Sequence, residues 1–354
     1  MSKIAILTDT HFGARSDSLI FNEFFYDFYE NQFFPYVKSH PEITTFLHMG
    51  DCLDRRKYIN YKIAKDFRER FIRGLDELNI PCHFIVGNHD IYYKNTLDVN
   101  CYNELPLPER TSVYSEPTVV TIGNYDMAFI PWLTEENQSQ FYSLINEPGV
   151  QIAFGHLEVS GFEMHSGVLS QTGISKTIFN KFDMVMSGHF HKRSTDDHIY
   201  YLGCPYEMTL ADCDDPKGFH VFDTETRELE FIPNERHIFE KIHYNDKTTN
   251  YKDVEVSQYD KKFVKLFVEH RDDYYEFDKF LDRLYNDISV HDLKVIEDFS
   301  DLSVDFVSDD IVKEAQDTLS LLDRYVDDIP TDLDKERIKG KLKSLYIEAG
   351  DIDI

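Results

Sequence analysis

His83-Phe84-Ile85-Val86 runs directly into Gly87-Asn88-His89-Asp90. A short apolar run of this kind reads as a buried strand, and the Gly-Asn pair behind it ends the strand in a turn. The same couplet recurs four times: Ile4 to Leu7 before Asp9-Thr10-His11, Thr45 to Met49 before Gly50-Asp51-Cys52-Leu53-Asp54, Ile152 to Phe154 before Gly155-His156, and Phe182 to Met186 before Gly188-His189-Phe190-His191. Five strands that each end in a polar string place those side chains together at the carboxyl edge of the sheet, where open α/β sheets carry their sites.

Each string alone has an ordinary explanation. Asp9 and His11 could be surface residues of a strand, His156 a core histidine bonded to backbone, Gly87 to Asp90 a turn, and His189 and His191 exposed neighbours on one strand face. The ordered set offers more: two carboxylates (Asp9, Asp51), one amide oxygen (Asn88) and four imidazoles (His11, His156, His189, His191). These donors suit two divalent first-row ions, because imidazole favours manganese, iron or zinc over magnesium or calcium; manganese is the expected metal. Two carboxylates leave such a pair with net positive charge, which attracts phosphate and makes bound water more acidic. Ions roughly 4 Å apart can activate water and offset charge gathering on a phosphoryl centre, so the expected reaction is phosphoester hydrolysis.

These five strings in this order resemble the calcineurin-like metallophosphoesterase superfamily over about residues 1 to 235. Within it, Tyr201-Leu202-Gly203-Cys204-Pro205 and Gly218-Phe219 look like the SbcD-type double-strand-break-repair nucleases. Ile130-Pro131-Trp132 and the C-terminal extension are similar to the recombination nuclease subunit of tailed phages. The resemblance implies that Asp9, His11, Asp51 and His191 hold one metal and that Asp51, Asn88, His156 and His189 hold the other, with Asp51 bridging. It gives His89 the catalytic role, protonating the leaving oxygen or fixing the scissile phosphate, with Asp90 orienting its imidazole. Asp54 stands where some relatives carry a phosphate-contacting histidine.

The chain has 354 residues, enough for a sizeable core and for more than one domain. Its five cysteines, at 52, 82, 101, 204 and 213, show no paired zinc spacing and point to a reducing compartment. No apolar stretch approaches the ~20 residues of a membrane span, and Met1 to Leu7 is too short for a signal peptide. A cytoplasmic protein without membrane contact is expected, in the host cytoplasm if the gene is a phage's.

A net charge of −28 speaks against a DNA substrate, because duplex binding leans on basic surface. One island is different: residues 55 to 73 carry Arg55, Arg56, Lys57, Lys62, Lys65, Arg68, Arg70 and Arg73 against Asp66 and Glu69. Ile63, Phe67 and Phe71 at helical spacing turn its apolar face inward, which leaves the cations either at the rim of the metal site, contacting DNA, or on an ordinary solvated helix face. Tyr92, Tyr93 and Lys94 could stack on an unpaired base, or serve the core.

The fold class expected is α/β: a two-sheet β-sandwich flanked by helices, followed by a small α/β cap and a C-terminal helical tail. The domains would span 1–235 (nuclease), 236–299 (cap) and 300–354 (tail). A helix covers Ser18 to Phe34 and stops before Pro35. Residues 113 to 132 form a hairpin turning at Gly123-Asn124, and residues 198 to 232 add strands with a second hairpin near Thr224 to Thr226, together building the second sheet. The Gly- and Ser-rich stretch from Ser160 to Ser175 reads as a mobile substrate loop. In the cap, Phe263 to Val268 and Leu293 to Ile296 read as strands around a helix from Tyr274 to Asn286. In the tail, one amphipathic helix starts at the N-cap Ser308 and ends at Pro330, and another is capped by Thr331 and ends before Gly350. Such a pair either packs on itself or docks on a partner.

No Gly-x-x-x-x-Gly-Lys-Ser/Thr loop occurs, so ATP hydrolysis is not expected of this chain. The resemblance supplies an SbcC-type, SMC-like ATPase as the partner of the tail, and a homodimer. The function expected is a two-metal DNA nuclease subunit, with 3′ to 5′ exonuclease action on duplex ends and endonuclease action on single strands implied by the resemblance. A phosphatase or small-molecule phosphodiesterase on the same site is the first alternative, and a DNA-binding scaffold that cuts nothing is the second.

Overall fold

Alternation along the first strand sets the layers. In a computed structural model that describes residues 2–165, 168–170 and 173–297, together with Val326 and Lys335, β1 (Lys3–Leu7) buries Ile4 and Ile6 on one face and Ala5 and Leu7 on the other. A strand buried on both faces belongs in the middle of a layered structure. β1 runs parallel to β2 (Ile43–His48), β2 to β3 (Cys82–Ile85) and β3 to β4 (Thr111–Tyr114). The second sheet is centred on β7 (Ile152–His156). One side of β7 holds β6 (Tyr125–Ile130), which forms the hairpin with β5 (Thr118–Ile122) across Gly123-Asn124. The short hairpin β8 (Glu163–His165) and β9 (Val168–Leu169) lies within the stretch expected to be a loop, and residues 166–167 and 171–172 of that stretch lie outside the described ones. On the other side of β7 come β10 (Met184–Gly188), β12 (Ile199–Tyr201) and β11 (Ser194–Asp196).

The strands after residue 198 divide between the sheets. The hairpin β13 (Gly218–Asp223) and β14 (Leu229–Pro233) was expected in the second sheet, but β13 pairs antiparallel with β1 and extends the first. Phe222 and Val221 explain it: β13 alternates like β1, with Phe222 in the cluster between the sheets and Val221 facing the helices. Ile6, Leu47, Met49 and Ile85 from one sheet meet Phe129, Phe154 and Met186 from the other to form that middle cluster.

The first helix also departs from expectation. It begins at Leu19–Phe28 but continues through a π-helical turn at Tyr29–Phe33 into Phe34–Ser39, carrying Pro35 inside it. The wider turn, in which Phe34 N–H donates to the Tyr29 carbonyl, relieves the clash that a proline ring makes with the preceding turn. The helical stretch from Tyr61 through a π turn at Phe67–Ile72 to Leu78 packs beside it, and Asn60 caps it by accepting from the Lys62 N–H. Phe71 and Phe67 stack near Phe12, just past the first polar string, with ring centroids 4.9 and 5.2 Å away. Buried Asp66 accepts from Asn22 and from Lys62, fastening the two helices.

Contacts divide the chain into two compact units. The first comprises Met1–Glu240, Val256–Val264 and Leu284–Asp292, and the second Lys241–Glu255, Lys265–Arg283 and the chain from Leu293. The strands β15 (Phe239–Asn245), β16 (Phe263–His270) and β17 (Asp292–Ile296) form a three-stranded sheet, and the helix Tyr274–Asn286 buries Phe277, Phe280 and Leu284. The two helices expected between 308 and 349 lie outside the described residues, apart from Val326 and Lys335.

Phe71→Ala should cost about 3–5 kcal/mol in denaturant unfolding, because it empties an aromatic cluster that cannot collapse around the gap. Lys65→Ala, four residues from its exposed partner Glu69, should cost less than about 1 kcal/mol in the same assay. Equal losses would mean that the helix is held by its charged face.

Candidate metal centre

All five polar strings emerge at one edge of the two sheets, at the carboxyl ends of β1, β2, β3, β7 and β10. The first two strings prolong the parallel pairing of β1 and β2 beyond the strands: Asp9 N–H donates to the Gly50 carbonyl, His11 N–H to that of Asp51 and Phe12 N–H to that of Cys52. That ladder sets Asp9, His11 and Asp51 side by side. Asp9, His11, Asp51 and His189 all have positive φ, between 41° and 86°. Such backbone is unusual outside glycine and collects at functional sites.

Two glycines are required for close approach. A Cβ on Gly87 would strike the backbone nitrogen and carboxylate of Asp51, and one on Gly188 would strike the Thr8 hydroxyl. The glycines of the third and fifth strings therefore let loops from different strands close on the same carboxylates.

Two donor clusters result. Asp9, His11 and His191 offer atoms within 4.8 Å of one another, and so do Asp51, His156 and His189. His11 Nε2 lies 3.1 Å from His191 Nε2. Asn88 Oδ1 lies 3.0 Å from His156 Nε2 and 3.1 Å from His189 Nδ1. Asp51 Oδ2 sits between the clusters, 3.3 Å from His156 Nε2 and 3.8 Å from His11 Nε2.

The donor chemistry fits a pair of cations. His156 Nδ1 lies 2.8 Å from the Met49 carbonyl; a proton held there leaves Nε2 facing the cluster, the arrangement usual for a ligating histidine. Burial depresses His156, but the carboxylates of Asp51 and Asp9 overcome it and raise the ring to about 9. Burial opposes ionisation of Asp51, yet the imidazoles of His156, His89 and His11 hold its carboxyl well below the usual range. Burial and the neighbouring His156 push His189 down to about 3. A cation among these groups would take the place of the proton that the carboxylates draw onto His156, and would meet the lone pairs of the remaining donors.

Supporting groups fix these donors. Thr8 donates its hydroxyl to Asp9 at 2.6 Å, and the His189 N–H donates to the same carboxylate at 3.1 Å. Lys217 Nζ donates to the His191 carbonyl at 2.9 Å while pairing with Asp212 and Asp215, each at 2.7 Å. Trp132 stands beside His189, ring centroids 5.0 Å apart. Lys217 and Trp132 were not anticipated as parts of the site, although a lysine directly before an apolar strand and the only tryptophan of the chain were visible signals.

One expected role changes. Asp90 does not orient His89: its carboxylate accepts the backbone N–H groups of Asp51, Cys52 and Gly87 at 2.8–2.9 Å and the Tyr102 hydroxyl at 3.0 Å. With longer bonds from the Leu53 N–H and the Cys101 thiol besides, this buried carboxylate is a clamp between the second and third strings. His89 instead sets Nδ1 2.7 Å from the backbone carbonyl of Asp54 and leaves its ring half-buried against His11.

The basic island is largely met by acids. Lys62 pairs with Asp66, Lys65 with Glu69, Arg73 with Glu77, and Arg70 with both Glu23 and Glu30. Arg55 lies 3.5 Å from Asp17 and stacks on Tyr58. Burial lowers the Arg56 guanidinium, while the charge of Asp51 acts in the opposite sense. Lys57 lies over Tyr92, which is partly exposed beside Tyr93. Among the described residues no helix is long and apolar enough to cross a membrane.

Calcineurin-like phosphoesterase describes the family matched by residues 2–193. Exonuclease subunit 1 of Enterobacteria phage T4 is 34% identical over 98% of this chain and 99% of its own length. A subunit of the nuclease SbcCD from Staphylococcus saprophyticus is 26% identical over 52% of this chain and 56% of its own. A solved archaeal phosphodiesterase is 17% identical with a TM-score of 0.33, over 66% of this chain and 99% of that one. The family match takes in all five strings and the phage likeness runs nearly end to end: the chain belongs to the calcineurin-like phosphoesterase family.

Proposed function

We propose that this protein is the nuclease subunit of a DNA recombination or repair complex, hydrolysing phosphodiesters with two divalent metal ions. The observation that carries this reading is the position of Asp51 Oδ2 between two histidine clusters, the place of a bridging carboxylate. The family uses a dinuclear metal site. Asp9, His11, Asp51 and His191 would hold one ion, and Asp51, Asn88, His156 and His189 the other, with manganese favoured by the imidazole-rich set. Bound there, the ions supply Lewis-acid activation of water and neutralisation of the phosphate.

The chain's own residues complete the chemistry. His89, anchored through Nδ1 on the Asp54 carbonyl, has its ring centroid 4.9 Å from that of His11. It donates to a phosphoryl oxygen or hands a proton to the departing sugar oxygen. Arg56, which feels the charge of Asp51, would neutralise a phosphate beside the scissile one. Arg55, Lys62 and Lys65 sit farther along the same basic stretch and would contact the backbone only by exchanging their acidic partners for phosphates.

The relatives named as an exonuclease subunit and as a subunit of a nuclease support DNA as the substrate and a second kind of chain as the partner. In this reading the partner is an SbcC-type, SMC-like ATPase docked through residues 300–354, two copies of the chain assemble, cleavage runs 3′ to 5′ on duplex ends, and single strands are cut internally. The protein works in the host cytoplasm. A net charge of −28 and an island already paired with acids favour one other reading, a phosphodiesterase for small substrates. Purified protein with manganese should release nucleotides from linear duplex, faster with the ATPase present; hydrolysis of a cyclic nucleotide and not of DNA would decide for the small-substrate reading.

Asp51→Asn should lose both metals and all hydrolysis, since the two cations would then repel each other across a few ångströms without a shared anion. Elemental analysis that found two ions bound to this variant would overturn the assigned geometry.

His89→Gln should keep both metals, its thermal stability and its affinity for DNA, while cleavage falls by about 10²- to 10⁴-fold. Near-normal cleavage by the folded, metal-loaded variant would remove His89 from the chemistry.

A further inference from the structure

We propose that the cavity beside the metal centre, walled by Trp132, receives a single unstacked nucleobase from the nucleotide that adjoins the scissile phosphate. This rests on the nuclease reading above. The cavity has a volume of about 590 Å³, within the ~300–1,000 Å³ usual for small-ligand sites and ample for one nucleoside. His156 is part of its lining, so the space is continuous with the centre. The Trp132 ring lies 6.1 Å from that of His156 and 5.0 Å from that of His189. A base stacked on it therefore has its own phosphate within reach of the cluster of Asp51, His156 and His189.

The lining discriminates between parts of a nucleotide. Leu133, Phe141 and Ile174 give apolar walls suited to the faces of a base, while Asn95 and Gln138 offer donors and acceptors to its edges. Glu135 and Glu158 set two carboxylates against the single ammonium of Lys94, so the lining disfavours a phosphate group, and the carboxylate oxygens accept hydrogen bonds from base N–H groups. The phosphate is left to the cations, and the base to the cavity.

Trp132 is held for such a task. Its backbone N–H donates to the Val86 carbonyl at 2.8 Å, and buried Asn137 donates to its carbonyl at 3.0 Å while accepting from the Thr134 N–H at 2.9 Å. Both ends of this short turn are thereby tied, one to the chain just past β3 and the other to the helix that follows, so the indole needs little ordering when a base arrives. A base within a duplex is covered on both faces and cannot enter, which makes the cavity selective for frayed ends, unpaired bases and single strands.

Trp132 is the only tryptophan among the 354 residues, so its emission reports the cavity directly. Titration of the full-length protein with deoxyadenosine monophosphate should quench that emission saturably. Cleavage of duplexes with ordinary terminal nucleotides should exceed that of duplexes with abasic ones by about fivefold to a hundredfold in kcat/KM, the usual worth of stacking one base on an aromatic ring. Trp132→Ala should bring this ratio close to one, and Trp132→Phe should retain most of it, with thermal unfolding verifying that both variants fold. A ratio that stays high in Trp132→Ala, or unquenched emission, overturns the proposal. If the native protein cuts neither duplex, the nuclease reading falls, and the titration alone then decides the cavity: quenching upholds a nucleotide site and its absence refutes one.

Discussion

The site depends on one buried carboxylate that is not itself among the metal donors. Asp90 accepts hydrogen bonds from the backbone of Gly87 at the end of β3 and of Asp51 and Cys52 at the end of β2, with the Tyr102 hydroxyl as a further donor. Burial and the charge of Asp51 push its pKa up, and the N–H groups of Gly87 and Cys52 act against that rise. Because the two loops share this acceptor, the Asp51 side chain can in turn accept from the His89 N–H at 2.7 Å. The second and third strings thus interlock through two carboxylates, each satisfied by the other's backbone. Removing either would leave buried N–H groups without partners, which is costly inside a protein.

Around this clamp the histidines and hydroxyls take defined places. His48, fully buried behind the strings, is pushed down to about 3 by burial and so is neutral; its Nε2 lies 3.0 Å from the Thr10 hydroxyl. Tyr206 donates to the Thr10 carbonyl from the aromatic cluster below. The first string is therefore seated on a neutral hydrogen-bonded layer, and the charged groups gather above it. That segregation explains how Asp9, His11 and Asp51 can share a small volume: strained backbone at these positions is held by packing and hydrogen bonds on the far side.

Charge is distributed with the same economy. The helix that carries the basic island turns Ile63, Phe67 and Phe71 into the core and pairs most of its cations with acids of its own or of the neighbouring helix. The exposed pairs among them, such as Lys65 with Glu69, contribute little stability and can exchange partners. The island is thus carried on a strongly acidic protein with most of its charge balanced locally.

Much of this was legible in the amino-acid sequence, because strands and the turns after them are local. The short apolar runs announced β1, β2, β3, β7 and β10, and the polar strings announced what stands at their ends. The Gly123-Asn124 hairpin and the helix Tyr274–Asn286 were equally local and appear where expected. Three features were not local. Pro35 inside a helix depends on a π turn that sequence periodicity does not reveal. The pairing of β13 with β1 joins segments more than 200 residues apart, and alternation tells only that a strand has a buried face, not which sheet claims it. The role of Asp90 depends on which donors surround it: adjacency to His89 suggested one partner, whereas three backbone N–H groups from two loops claimed the carboxylate first. Sequence by itself determined the donor types and the strands that carry them; only tertiary structure decided which donors meet, because a hydrogen bond or a shared cluster is fixed by distance in space and not along the chain.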